Sequence, residues 1–140
     1  MSHLQLRRRR IAIIDDDPTF VDLMHELLAL GEGYDVVSTT NWLESIDFIR
    51  DARPDLLILD MMLGREQTGP AVLQMLHEDP STRDMPVLVC SAAAPSLLRK
   101  ARELRASGAV ATLAKPFDVD QLLRIIERLL DNTAVLEGHA

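Results

Sequence analysis

A run of four apolar residues, Leu56–Leu59, most constrains the fold of this chain. The run follows Pro54-Asp55 and ends at a carboxylate, Asp60. A short, continuous apolar run between turn signals is typical of a strand buried on both faces, as in a parallel sheet covered by helices. Asp60 would then stand at the carboxyl end of a central strand, where open α/β sheets bind their ligands. On this pattern alone, the carboxylate could equally cap the segment that follows.

Strand and helix patterns alternate along the rest of the chain. The other predicted strands are Ile11–Ile14, Tyr34–Thr39, Pro86–Ser91 and Val110–Ala114. After the first strand, Asp17 suits the N-cap of a helix and Pro18 its first position. Asp118 suits the N-cap of the last helix. We expect the chain to fray from Asn132. Five strand–helix units predict an α/β fold, a three-layer sandwich with a five-stranded parallel sheet between helices.

Length and composition narrow the class of protein. The 140 residues, 47% hydrophobic and 26% charged, predict one globular domain over residues 10–131, between a lead-in (1–9) and a C-terminal tail (132–140). We expect a cytoplasmic protein without a membrane segment, because no apolar run approaches about 20 residues and we find no signal peptide. The single cysteine, Cys90, cannot form an internal disulfide and is predicted to be a small buried hydrophobe. A net charge of −7 argues against direct nucleic-acid binding.

Polar side chains stand at the predicted carboxyl ends of four strands. They are Asp15, Asp16, Asp60, Ser91 and Lys115. In a parallel sheet these ends share one edge, so the side chains should converge. Three carboxylates within about 5 Å repel one another and stay ionised only with a cation among them, and such oxygen ligands favour Mg²⁺. A hydroxyl and an ammonium opposite the carboxylates suit phosphoryl oxygens, so the set predicts phosphoryl transfer to an aspartate.

Several stretches together resemble the receiver domain of response regulators in two-component signalling, over residues 8–131. They are Ile13–Pro18, Pro54–Asp60, Pro86–Ala92, Gly108-Ala109 and Lys115–Phe117. The resemblance implies a flavodoxin-like fold with strand order 2-1-3-4-5 and five helices. It also implies a phosphoacceptor signalling domain rather than an enzyme, with a histidine kinase or histidine phosphotransfer protein as donor and a downstream protein as target.

The resemblance also implies a role for each site residue. Asp60 matches the phosphoacceptor, Ser91 the switch hydroxyl and Lys115 the lysine that contacts phosphate, with a cis bond to Pro116. The implied Mg²⁺ ligands are Asp16 directly, Asp15 largely through water, Asp60, and the backbone carbonyl of Met62. Only nine residues follow Asp131, so we expect a stand-alone receiver.

Two departures from the family pattern keep other interpretations open. Thr112 occupies the position of an aromatic residue that usually reports phosphorylation, and Gly69 lies nine rather than eight residues after Asp60. A receiver-like interaction module without phosphoryl turnover is therefore one alternative. A second is a haloacid-dehalogenase-like phosphatase, because Asp15–Thr19 fits Asp-x-Asp-x-Thr with Asp15 as nucleophile and Asp17 as acid/base. That second interpretation leaves Asp60 without a role.

Overall fold

A parallel sheet forms the centre of the protein. The computed structural model describes residues 8–61, 69–92, 99 and 110–138, with the backbone alone for Ser91, Val110 and 132–138. Within these ranges the strands are β1 (Arg10–Ile14), β2 (Asp35–Thr39), β3 (Leu56–Leu59), β4 (Val87–Ser91) and β5 (Val110–Ala114). All neighbouring strands are parallel, in the order β2-β1-β3-β4-β5. The predicted sheet and strand order are confirmed.

Helical segments connect the strands. They are α1 (Pro18–Met24), which continues as a π-helix over His25–Gly31, a 3₁₀ turn (Trp42–Glu44) leading into α2 (Ser45–Ala52), α3 (Gly69–Glu78) and α4 (Val119–Gly138). As predicted, Asp17 caps α1: its Oδ1 accepts from the Thr19 amide at 3.0 Å, and proline occupies the first turn. The predicted helix over residues 95–107 lies outside the described residues, apart from Arg99.

The backbone of α4 is helical to Gly138, beyond the expected end of the domain at Asp131. The fraying from Asn132 stays a prediction. No proline or glycine interrupts the sequence between Asp118 and Gly138, so nothing in the backbone chemistry ends the helix earlier. Its start follows the prediction, since Asp118 Oδ1 accepts from the Asp120 amide at 3.0 Å. No helix in the described part of the chain has the length and apolarity needed to cross a membrane.

Two hydrophobic clusters, one on each face of the sheet, make the three layers. Alternate strand residues divide between them: Ile11 and Ile13 pack with α1 and α4, whereas Ala12 and Ile14 pack with α2 and α3. Cys90 is fully buried in the first cluster, as predicted, and burial raises the pKa of its thiol to about 12. This packing on both faces explains the continuous apolar runs of the strands.

Candidate functional site

Two aspartates follow neighbouring central strands at the same edge of the sheet. β1 and β3 are in register at Ile14 and Leu59, so Asp15 and Asp60 are the next residues on each. The Asp60 amide donates to the Ile14 carbonyl at 3.1 Å, and the Asp15 amide donates to the Thr39 carbonyl at 3.3 Å. The backbones of both aspartates are therefore held by the sheet, and their positions are set by strand register.

Three carboxylates meet at this edge, as the sequence predicts. Oxygen atoms of Asp15, Asp16 and Asp60 all lie within 4.8 Å of one another. Asp15 and Asp60 are buried, whereas Asp16 is exposed. Burial raises the pKa of Asp15 and the Asp60 charge adds to the rise, while hydrogen bonds from Lys115 and the Asp17 amide oppose it. The cluster therefore places three carboxylates close together at the edge of the hydrophobic core.

The ammonium of Lys115 lies against the two buried carboxylates. Its Nζ donates to Asp15 Oδ2 at 2.7 Å and lies 3.6 Å from Asp60 Oδ2. Burial by itself would lower the pKa of Lys115, but the hydrogen bond and the charges of both aspartates outweigh it and the pKa is raised. The Lys115–Pro116 bond is cis, as the resemblance implies. Lys115 therefore stays charged and partly balances the acid cluster.

An aromatic ring also contacts this ammonium. Lys115 Nζ lies 3.8 Å from the centroid of the Phe20 ring, and Phe117 packs perpendicular to that ring with centroids 6.1 Å apart. Both rings also pack on the first hydrophobic cluster. Helical spacing predicts Phe20 as a core residue of α1, but nothing in the sequence relates it to a lysine 95 positions later.

A second unpredicted feature is the close approach of α3 to the segment that carries Asp60. The Gly69 amide donates to the Met61 carbonyl at 3.1 Å. A Cβ at position 69 would overlap the Met61 Cα and would lie 2.7 Å from the carbonyl oxygens of Asp60 and Met61. These are backbone atoms that cannot move aside, so this packing requires glycine. The sequence marks Gly69 as a spacing departure and gives no sign of this contact.

The other predicted site residues are only partly described. The backbone of Ser91 ends β4 opposite Ala114, and its side chain lies outside the described part of the structure. Met62 also lies outside the described residues. Thr112 pairs with Val89 and is half-buried on β5.

The chemistry of the acid cluster fits Mg²⁺. Magnesium binds oxygen ligands at about 2.0–2.1 Å, so oxygens on opposite sides of one ion lie about 4.2 Å apart. Carboxylate oxygens within 4.8 Å of one another are close to this arrangement. The exposed carboxylate of Asp16 also leaves room for bound water, which Mg²⁺ usually retains. The residues present are therefore able to hold the ion.

Comparison with known families identifies the family of the chain. Residues 11–127 match the model of the response regulator receiver domain. The chain belongs to this family. Receiver domains are phosphoacceptor signalling domains of two-component systems that interact with histidine kinases and downstream targets. The acid cluster and Lys115 therefore stand in a fold used for phosphoryl-dependent signalling.

The relatives of this receiver domain include a protein about twice the length of the matched region and a protein of nearly the same length. It is 37% identical over 124 residues to the "DNA-binding dual master transcriptional regulator RpaA" of Synechocystis sp., covering 89% of this chain and 50% of RpaA. It is 30% identical to the "Polar-differentiation response regulator DivK" of Brucella anthropi, covering 87% of this chain and 96% of DivK. The chain therefore spans about half of one relative and nearly all of the other.

A solved structure supports the fold. The crystal structure of a CheY-like response regulator receiver domain protein from Methanospirillum hungatei superposes with a TM-score of 0.78, covering 90% of this chain and 96% of that one. The two sequences are 24% identical, so this likeness concerns the fold alone.

Proposed function

We propose that this receiver domain accepts a phosphoryl group on Asp60 from a histidine kinase or histidine phosphotransfer protein. The observation that carries the proposal is the position of Asp60 at the end of β3, within an acid cluster and 3.6 Å from the Lys115 ammonium. A nucleophilic carboxylate beside a fixed positive charge is what phosphoryl transfer to an aspartate needs. The phosphorylated domain would then signal through contacts with a downstream protein in the cytoplasm.

In the proposed transfer, a carboxylate oxygen of Asp60 attacks the phosphorus of a phosphohistidine. A phosphorus–oxygen bond forms as the phosphorus–nitrogen bond breaks, and the electron pair of that bond returns to the imidazole of the donor. Lys115 is placed to pair with the phosphoryl oxygens, where charge is spread in the transition state. The Ser91 hydroxyl, at the end of β4, would donate to the same group. Asp60 must be ionised to act.

The acid cluster would supply the metal ligands. Asp16 would bind Mg²⁺ directly, Asp15 largely through water, and Asp60 and the Met62 carbonyl would complete the protein ligands. When bound, Mg²⁺ balances the negative charge of the carboxylates and of the incoming phosphoryl group. Lys115 now balances that charge at Asp15, so we expect it to shift toward Asp60 and the phosphoryl oxygens in the reaction.

The arrangement of Asp17 argues against the phosphatase alternative. That mechanism needs Asp17 as a general acid/base beside a nucleophilic Asp15. Asp17 instead caps α1, with its Oδ1 accepting from the Thr19 amide at 3.0 Å. Asp15 is buried and accepts from both the Asp17 amide and Lys115. Asp17 is therefore engaged as a helix cap and Asp15 as the closer ion-pair partner of Lys115, and these roles support the receiver interpretation over an acid/base and nucleophile pair.

The proposal is tested by intact mass spectrometry after incubation with acetyl phosphate or phosphoramidate and Mg²⁺. We expect the parent protein to gain one phosphoryl group, Asp60→Asn to gain none, and chelation of Mg²⁺ to abolish the gain. No gain in the parent would contradict the proposal and favour an interaction module without phosphoryl turnover. Gain that persists in Asp60→Asn and is lost in Asp15→Asn would favour the phosphatase alternative.

A further inference from the structure

The geometry points to Phe20 as a positioning residue, whose ring face holds the Lys115 ammonium at the Asp60 carboxylate. This inference rests on the proposed phosphorylation of Asp60. Lys115 Nζ lies 3.8 Å from the ring centroid, 2.7 Å from Asp15 Oδ2 and 3.6 Å from Asp60 Oδ2. Among the described residues, these three groups contact the ammonium, and the ring is the one without a charge.

The ring contributes by attraction as well as by shape. The face of an aromatic ring carries partial negative charge and attracts a cation within about 6 Å of its centroid. The attraction is larger where water is excluded, and the Lys115 side chain is only 19% exposed. Because the ring carries no full charge, it holds the ammonium without neutralising the positive charge that would pair with the phosphoryl oxygens.

One short segment presents both the ring and the carboxylate to this ammonium. Asp15 Oδ1 accepts from the Asp17 amide at 3.0 Å, and Asp17 in turn caps the first turn of α1, which contains Phe20. The positions of Asp15 and Phe20 are therefore linked through the hydrogen bonds of Asp17. Phe117 packs perpendicular to Phe20 and supports it from a different element of the fold.

Loss of the ring would leave the long lysine side chain less restricted. Its closer ion pair is with Asp15, which holds the ammonium away from the position that the phosphoryl oxygens would occupy beside Asp60. A positive charge held close to the position that it takes in the reaction lowers the cost of reorganisation at the moment of transfer. Removal of the ring should therefore slow phosphorylation and leave the acceptor itself intact.

The test compares rates of phosphorylation by acetyl phosphate at saturating Mg²⁺ in a matched set of variants. We expect Phe20→Leu to be slower than the parent by about three- to tenfold. Phe20→Tyr, which keeps the ring, should restore most of the rate. Phe48→Leu is the control, because Phe48 packs on the opposite hydrophobic cluster. Trifluorophenylalanine at position 20 should slow the reaction as Phe20→Leu does, since fluorine weakens the ring face but keeps its shape.

A second measurement detects the contact between Lys115 and the Phe20 ring in the unphosphorylated protein. In the parent, the ε-methylene protons of Lys115 should resonate upfield in NMR spectra because they lie near the ring face, and Phe20→Leu should abolish that shift. If Phe20→Leu or the fluorinated protein reacts at the parent rate, or if the upfield shift is absent in the parent, this inference is overturned while the proposed function stands. If the parent itself gains no phosphoryl group, the proposed function fails and the inference fails with it.

Discussion

The Lys115 ammonium contacts both buried carboxylates of the candidate site and the Phe20 ring. It remains charged because the two aspartates outweigh the effect of its burial on its pKa. The negative charge at this edge is thus partly balanced by Lys115, and a metal ion or a phosphoryl group would change the net charge there. At the scale of single residues, Lys115 is therefore placed to respond to the proposed phosphorylation of Asp60.

Gly69 provides a test of packing at the acceptor. We expect Gly69→Ala to lower the free energy of unfolding by about 1–3 kcal/mol or more, because the new Cβ would overlap backbone atoms of Asp60 and Met61. Urea unfolding measures the change. Gly31→Ala is the matched control, since its Cβ would come no closer than 3.6 Å to the Glu26 carbonyl oxygen. That control should be neutral or stabilising by up to about 1 kcal/mol. Equal losses in both variants would contradict the account of Gly69.

At the scale of elements, an ion pair joins α2 to the segment after α3. Arg50 donates to Asp79 Oδ2 through Nε at 3.0 Å and Nη2 at 2.9 Å. Asp79 Oδ1 accepts from the amide and the hydroxyl of Ser81 at 2.9 and 2.8 Å. The Ser81 bonds, with Arg50, lower the pKa of Asp79 to about 2. These contacts fix the turn that leads into β4, which ends at Ser91 in the candidate site.

The lowered pKa of Asp79 predicts a pH-dependent contribution to stability. Ionised Asp79 is favoured in the folded state, so its contribution is present above the ordinary pKa of an aspartate and is lost as the pH falls toward 2. Asp79→Asn should therefore be less stable than the parent at pH 6, and the difference should shrink as the pH falls below about 4. Urea unfolding at several pH values measures this. A difference that is constant with pH, or one matched by the exposed control Asp51→Asn, would contradict it.

At the scale of the whole molecule, topology assembles the site. Asp15 and Lys115 are 100 positions apart and form a 2.7 Å ion pair, because every strand in the described sheet ends at the same edge. The sequence was sufficient to predict this convergence, since strand periodicity and polar strand ends are local patterns whose consequence follows from a parallel sheet. The strand order followed from the family resemblance.

Features that depend on packing could not be predicted from those patterns. The contact of the Phe20 ring with Lys115 and the approach of α3 to Asp60 depend on how α1 and α3 lie on the sheet. Hydrophobic periodicity indicates which face of a helix is buried, but not its position along the strand direction. The helical extent of α4 to Gly138 also goes beyond the sequence prediction, which rested on the tendency of chain ends to fray.

The most direct test of the account is to locate the phosphoryl group within the chain. Borohydride reduces an aspartyl phosphate to homoserine, which tandem mass spectrometry identifies by position. After incubation of the full chain with acetyl phosphate and Mg²⁺, the account predicts homoserine at position 60 and unmodified aspartate at positions 15 and 16. Homoserine at position 15, with Asp60 unmodified, would contradict it.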